Sequence, residues 1–223
     1  MNKQAYTKIF VILGALNITC LLIANIVTIK IINIFGLVFA AGDILFPITY
    51  ILNDVFTEVY GFKKARVIIW LSFFCNLIMV VFFWIAIKIP ADSSFQYQKE
   101  LEVVLGMTPR LLIASFIAYI IGSFANSITM SKLKVKTKGK YLPIRAIIST
   151  IIGAGLDSVI FVPIAFVGRI DLSTIVSMII NVFCLKVFFE VILTPFTYKL
   201  IKAIKRKEQI DVFDHNETYR IIR

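Results

Sequence analysis

The chain has 223 residues, 59% of them hydrophobic and 17% charged, with a mean hydropathy of +0.90 and a net charge of +11. That balance lies outside the range of ordinary soluble domains and makes a lipid bilayer the natural solvent. A hydrocarbon core of about 30 Å needs about 20 mainly apolar residues in a helix, so runs of that length bounded by charge or turn residues are the elements to find.

Six such runs follow in order. The first covers 9–29 and is closed by Lys30; its apolar stretch is longer than a signal-peptide core and shows no small-residue cleavage site, so it reads as a mature helix. The second starts near Ile31 and continues past Pro47 into DVFTEVYGFKK, where Asp54 and Glu58 are one helical turn apart. The third, 67–89, ends at Pro90, and the fourth, 111–130, follows MTPR. A fifth, 144–167, is entered by Pro143 and left through Gly168 and Arg169; the sixth, 172–200, is expected to bend at Pro195. Barrel strands are about ten residues of alternating polarity, which these runs are not. The expected class is therefore all-α: a polytopic membrane protein with six transmembrane helices, a transporter-like domain over 1–202 and a charged, solvated tail over 203–223.

Cations set the orientation. With both termini cytoplasmic, the inner side holds Lys3, Lys8, Lys63, Lys64, Arg66, Lys132, Lys134, Lys136, Lys138, Lys140, Arg145 and the basic residues after Leu200, while Lys30, Lys88, Lys99, Arg110 and Arg169 are outside. The positive-inside rule favours this arrangement and places the chain in the cell membrane as a multi-pass protein. KLKVKTKGK beside a span reads as an orientation signal near anionic lipid rather than as an RNA site, so no nucleic-acid partner is expected. Cys20, Cys75 and Cys184 fall within spans without metal-ligand spacing, and His215 has no companion ligands; neither a metal, a cofactor nor a disulfide is expected. In the loop between the third and fourth spans, Leu101, Val104 and Leu105 recur at helical spacing, which fits a short interfacial helix or a hydrated loop.

Ionisable groups inside spans are costly and are functional candidates by default. They are Asp43, Asp54, Glu58, Asp157, Lys186 and Glu190, with Arg145 at a helix start. Helical rise puts Asp54 about 27 Å from the outer start of its span near Gly36, Lys186 roughly 20 Å and Glu190 about 26 Å from theirs, and Asp157 about 18 Å from an inner start. The expectation is an inner layer of Asp54, Glu58, Lys186 and Glu190, and a deeper Asp157 accompanied by Asn17, Asn25, Asn181 and Asp43. The bland alternative pairs Lys186 with Glu190 along one helix and Glu58 with Lys63 or Arg66, as packing devices. Gly153 and Gly155 near Asp157 would serve close helix packing or leave room for a ligand. Paired aspartates also raise an intramembrane hydrolase, but GAGLD places its Asp one position later than the GxGD of intramembrane aspartyl proteases, and no other catalytic constellation is present; the protein is expected not to be an enzyme.

LFPITYILNDVFTEVYGFKKAR, MTPRLLIASFIAYIIGS, PIRAIISTIIGAGLDSVIFVPIAF and NVFCLKVFFEVILTPFTYKLI together resemble the queuosine-precursor transporter family of vitamin-uptake-type membrane proteins, in the right order from about Ala24 to Lys202. The resemblance implies import of 7-deazaguanine bases, such as the 7-cyano or 7-aminomethyl base or queuine, for salvage into tRNA. It matches Asp54, Glu58, Gly61, Arg110, Ser115, Arg145, Ser149, Thr150, Asp157, Lys186, Glu190 and Pro195; Ser123, Asn126 and Ala154 depart from the residues many relatives carry. A guanine-like edge presents a ring N–H and an exocyclic amine that a carboxylate accepts together, and a carbonyl that Lys or Asn can serve. Asp54, Asp157 and Glu190 are the expected substrate-facing groups, with Asn25 and Asn181 as further contacts and Glu58 and Lys186 as partner or gating charges. A second reading makes the chain the substrate-capture subunit of an energy-coupling-factor importer that borrows an ATPase module. The choice between monomer and homo-oligomer stays open.

Overall fold

The computed structural model describes residues 6–34, 37–106, 109–168 and 171–222. Lys3, Gly36, Met107, Thr108, Arg169 and Arg223, invoked above, lie outside them. Helix α1 (Lys8–Val27) is followed by a two-stranded antiparallel hairpin, β1 (Ile31–Ile34) and β2 (Leu37–Ala40). Then come α2 (Phe46–Val55), α3 (Phe62–Lys88), the short α4 (Gln98–Leu105), α5 (Pro109–Lys136), α6 (Leu142–Phe166) and α7 (Leu172–Glu208). Thr7 accepts a hydrogen bond from the Phe10 amide at the start of α1 (3.2 Å), and Asp171 accepts one from the Thr174 amide at the start of α7 (2.9 Å), satisfying donors that each helix leaves free.

Five helices, α1, α3, α5, α6 and α7, are long and apolar enough to cross a membrane. Their apolar side chains point outward to an extent no soluble protein tolerates: only 11% of the apolar window of α7 is buried, and Phe82, Trp84, Phe188 and Phe196 are exposed. The chain is an all-α, multi-pass membrane protein.

The second expected span differs from the others. Instead of one continuous α-helix it is a chain of three helical pieces: a 3-10 turn (Ala41–Leu45), α2, and a π turn (Phe56–Tyr60). Pro47 has no N–H and fits only the first turn of a helix, so α2 begins there. Asp43 closes the preceding turn by accepting the Ala40 amide at 3.1 Å. Gly42 lets this turn lie against α1, since a Cβ there would fall 2.3 Å from the Ala24 carbonyl oxygen. The π turn is buried throughout and stops at Gly61, whose φ of +82° favours glycine.

Of the two readings left open for the long loop, a short helix or an irregular segment, the helix is present as α4. Pro195 does not interrupt α7, which continues to Glu208. Phe10 meets Phe56 and Tyr60 edge-on, and Tyr60 donates to Glu208, so the start of α1 and the end of α7 share one end of the bundle.

The tail, expected to be solvated, instead folds back over that end. Val212 donates its amide to the Val59 carbonyl (3.1 Å), and Asp214 accepts from the Phe62 amide (2.9 Å) and from Ser131 (2.5 Å). Lys63 meets Glu217 at 3.1 Å, and Arg66 and Trp70 donate to the carbonyls of Arg220 and Ile221. Its acids partner the Phe62 amide and Lys63 at the start of α3 and Ser131 on the neighbouring face of α5.

Candidate functional site

Two glycines bring the polar interior together. A Cβ on Gly153 of α6 would lie 2.7 Å from the Asn126 Cβ and 2.9 Å from the Gly122 carbonyl oxygen, and one on Gly122 would lie 2.9 Å from the Asp157 Cβ. The backbones of α5 and α6 therefore approach closely, as small residues permit inside a membrane. Gly153 thus serves packing, whereas Gly155 has only ordinary contact with Phe183.

The acids separate into three environments. Glu58, fully buried on the π turn, receives two bonds from the Arg145 guanidinium (2.5 and 3.1 Å) and one from Lys205 (2.7 Å), with Lys134 at 3.8 Å. The planar fork of arginine matches a carboxylate in this two-bond geometry. Lys134, only 2% exposed, also donates to the Glu58 and Val212 carbonyls (2.5 and 2.6 Å) and pairs with Asp211 of the tail. Burial pushes the Asp211 carboxyl up, but its bonds to Lys134 and Lys205 outweigh that and hold it below its ordinary value. Neither Lys63 nor Arg66, the partners considered from spacing, takes Glu58; they serve the tail instead.

Asp157 and Lys186 form an ion pair between α6 and α7, in place of the intrahelical Lys186–Glu190 pair considered from spacing. Both are mostly buried, and the Lys186 ammonium also sits 4.8 Å from the centre of the Phe46 ring. The pair stands where two narrow clefts meet. One is lined by Asp43, Phe46, Tyr50, Lys186 and Glu190, the other by Phe46, Tyr50, Asn17, Asn53, Tyr119 and Asp157. Neither cleft has room for more than a few waters.

Asp54 and Glu190 make the third environment. Asp54 accepts from Asn126 (3.2 Å) through Oδ1, while its Oδ2 has no partner; Glu190 Oε1 also has none. Both side chains are buried. The expected single inner layer is therefore divided: Glu58 belongs to a cationic network and Lys186 to Asp157, which leaves Asp54 and Glu190 without an ion-pair partner among the described residues.

Asn181 is exposed on α7 and Asn25 half-buried on α1, and neither lines a cleft; Asn17 does, and it also donates to Ser72 at 3.1 Å. Sequence reasoning treated Lys134 and Lys205 as orientation charges and passed over Phe46 and Tyr50. The latter two carry a signal, an i, i+4 aromatic pair around Pro47 at the start of a broken helix.

Residues 40–200 match a family described as "Putative vitamin uptake transporter". A protein of Bacillus subtilis (strain 168) named "Probable queuosine precursor transporter" is 26% identical over 189 residues, covering 83% of this chain and 82% of its own. One of the same name from Haemophilus influenzae is 27% identical over 130 residues, covering 58% of this chain and 53% of its own. No solved structure matches the chain significantly. The matched region runs from the end of the hairpin to α7 and contains Asp43, Asp54, Glu58, Asp157, Lys186 and Glu190, and a family of transporters agrees with the expectation that the protein is not an enzyme. The chain belongs to this vitamin-uptake transporter family.

Proposed function

We propose that the protein imports a 7-deazaguanine precursor of queuosine across the cell membrane, with both termini cytoplasmic. The observation that carries the reading is the buried Asp157–Lys186 pair at the meeting point of the two clefts. A carboxylate beside an ammonium is the complement of a guanine edge: the carboxylate accepts the ring N–H and the amine, and the ammonium donates to the carbonyl. The base would replace each member's partner with another of matching charge or hydrogen-bonding sense, so neither charge is left bare in a dry site. Phe46 and Tyr50, which line both clefts, offer faces on which the ring can stack.

The clefts as they stand are too narrow for a base, so entry requires α2 and α7 to part. The broken second segment, with its 3-10 and π turns, is the element suited to move, and non-helical backbone at membrane depth is tolerated where it borders a cavity. Glu58 with Arg145, Lys134 and Lys205 then closes the cytoplasmic end, assisted by the tail. The positive-inside rule supports that sidedness, because the basic residues of α3, α5 and α7 gather at the end where α1 begins.

The test is salvage in cells lacking precursor synthesis. Expression of this chain should restore queuosine in tRNA when a deazaguanine base is supplied, and Asp157→Asn should weaken binding of that base to the purified, monodisperse protein. No recovery with any precursor, despite membrane expression, would overturn the reading.

A further inference from the structure

We infer that Asp54 and Glu190 form a proton-binding pair that couples import to inward proton movement. The inference extends the transport reading but rests on a different set of residues from the base site. Among the described residues, the acids inside the bundle are otherwise accounted for. Glu58 has Arg145, Lys205 and Lys134; Asp157 has Lys186; Asp43 accepts from its own turn. No lysine or arginine of the described residues lies within 4.0 Å of Asp54 or Glu190. Yet the two are 1% and 3% exposed, and each leaves a carboxylate oxygen without a partner.

The surroundings offer no other neutralisation. Asp54 faces Asn126 from α5, Glu190 from α7 and Glu58 from the π turn, while Arg145 of α6, a cation near enough to act on it, is held by Glu58 through two bonds. Glu190 faces Thr150 of α6, Asp54 and Tyr50 of α2, and the preceding cation on its own helix, Lys186, is engaged by Asp157. Two like charges in such a place cost several kcal/mol each after desolvation. Protons remove that cost: each carboxylate takes one from water to become a neutral carboxyl, which can then donate. An acceptor waits for such a donor, since Asn126 Oδ1 is buried without a partner too, while the Thr150 hydroxyl beside Glu190 can either donate or accept. A resident metal is a poorer fit, for no group of three acidic, His or Cys ligands occurs among the described residues.

The geometry also gives a route. Glu190 lines the cleft shared with Lys186, Asp43 and Tyr50, whereas Asp54 lies one helical turn beyond Tyr50 and outside both clefts. A proton reaches Glu190 from the cleft and Asp54 from Glu190. Because Glu190 is one turn from Lys186 on α7, a base engaging Lys186 alters the field at the proton site. With the pair neutral the bundle closes as a low-charge interior; on the cytoplasmic side the protons return to water, and no redox partner is needed.

The experiment uses the full chain alone in sodium-free proteoliposomes, with labelled 7-cyano-7-deazaguanine and an outside-acid pH gradient. Each pH unit supports up to about tenfold accumulation per proton carried, and so about hundredfold when both protons of the pair accompany one base, because one unit is the free energy of a factor of ten. We expect gradient-dependent accumulation that a protonophore abolishes; whatever uptake Asp54→Asn and Glu190→Gln retain should not respond to the gradient. In parallel, infrared spectra of substrate-free wild-type protein should show a buried protonated carboxyl at neutral pH that weakens in either variant. Uptake indifferent to the pH gradient, or absence of that carboxyl band, would overturn the proton pair while leaving the base site standing. A carboxyl band with no binding or exchange of the base would support the pair and overturn the substrate reading.

Discussion

Replacing Glu58 with glutamine should destabilise the closed bundle more than any other single neutralisation in the membrane region. Gln keeps the shape of Glu but not the charge, and its one amide oxygen replaces two charged acceptors, so Arg145 keeps the carbonyls of Lys140 (2.9 Å) and Gly139 (3.2 Å) and at most one neutral bond to the side chain. Lys205 retains Asp211 at 2.9 Å, and Lys134 retains Asp211 and two carbonyls, which softens the loss for those two cations. Removing one partner of a buried pair typically costs about 3–5 kcal/mol, and the surviving partners place this case near 3. For a chain of this size that is roughly 6–12 °C in the unfolding midpoint. The assay is thermal unfolding in detergent at a fixed scan rate, followed by fluorescence of Trp70 and Trp84, with Glu100→Gln on the exposed α4 as the control. Adding Arg145→Met to Glu58→Gln should recover part of the loss, because no buried cation is then left unbalanced. A Glu58→Gln protein that unfolds with the control would refute the network.

Gly153→Ala should push α5 and α6 apart, since its Cβ would press on the Asn126 side chain and the Gly122 backbone. A loss of about 1–3 kcal/mol is expected from such overpacking, read from the same melts, with Gly155→Ala nearly neutral as comparison. The docked tail should be pH-dependent. The folded Asp211 carboxyl titrates below its unfolded value near 3.9, so its contribution is complete above about pH 4 and is lost as pH falls through the lower folded value. Acidification, or Asp211→Asn at neutral pH, should raise proteolysis after Lys205 and Arg206; equal cleavage rates would contradict the docking. Lys186→Met alone should leave Asp157 unbalanced and lower stability, and Asp157→Asn with Lys186→Met should restore stability but not binding of the base.

The spans were legible in the sequence because length and apolar content alone decide what can cross a bilayer. The broken segment was not, because hydropathy is blind to whether the residues around Pro47 and before Gly61 turn as 3-10, α or π. Partner choice was also hidden. Spacing nominates neighbours on the same helix, hence Lys186 with Glu190 and Glu58 with Lys63, but a membrane interior rewards pairing between helices: Asp157 lies where Gly122 lets α5 and α6 close up, and Arg145 reaches Glu58 from the start of α6. The tail misled through its polarity. Asp211, Asp214 and Glu217 recur every third residue in a segment following a basic helix end, a pattern that fits the cationic and amide-rich rim they dock on.

The central claim is that Asp157 and Lys186 read the edge of a deazaguanine. Calorimetry with the purified protein should compare 7-cyano-7-deazaguanine with the analogue lacking its exocyclic amine. Losing one hydrogen bond to a charged group costs about 1.5–3 kcal/mol, so wild type should favour the guanine form by roughly ten- to hundredfold, and Asp157→Asn should lose most of that preference. Equal affinity of the wild-type protein for the two bases would contradict the account.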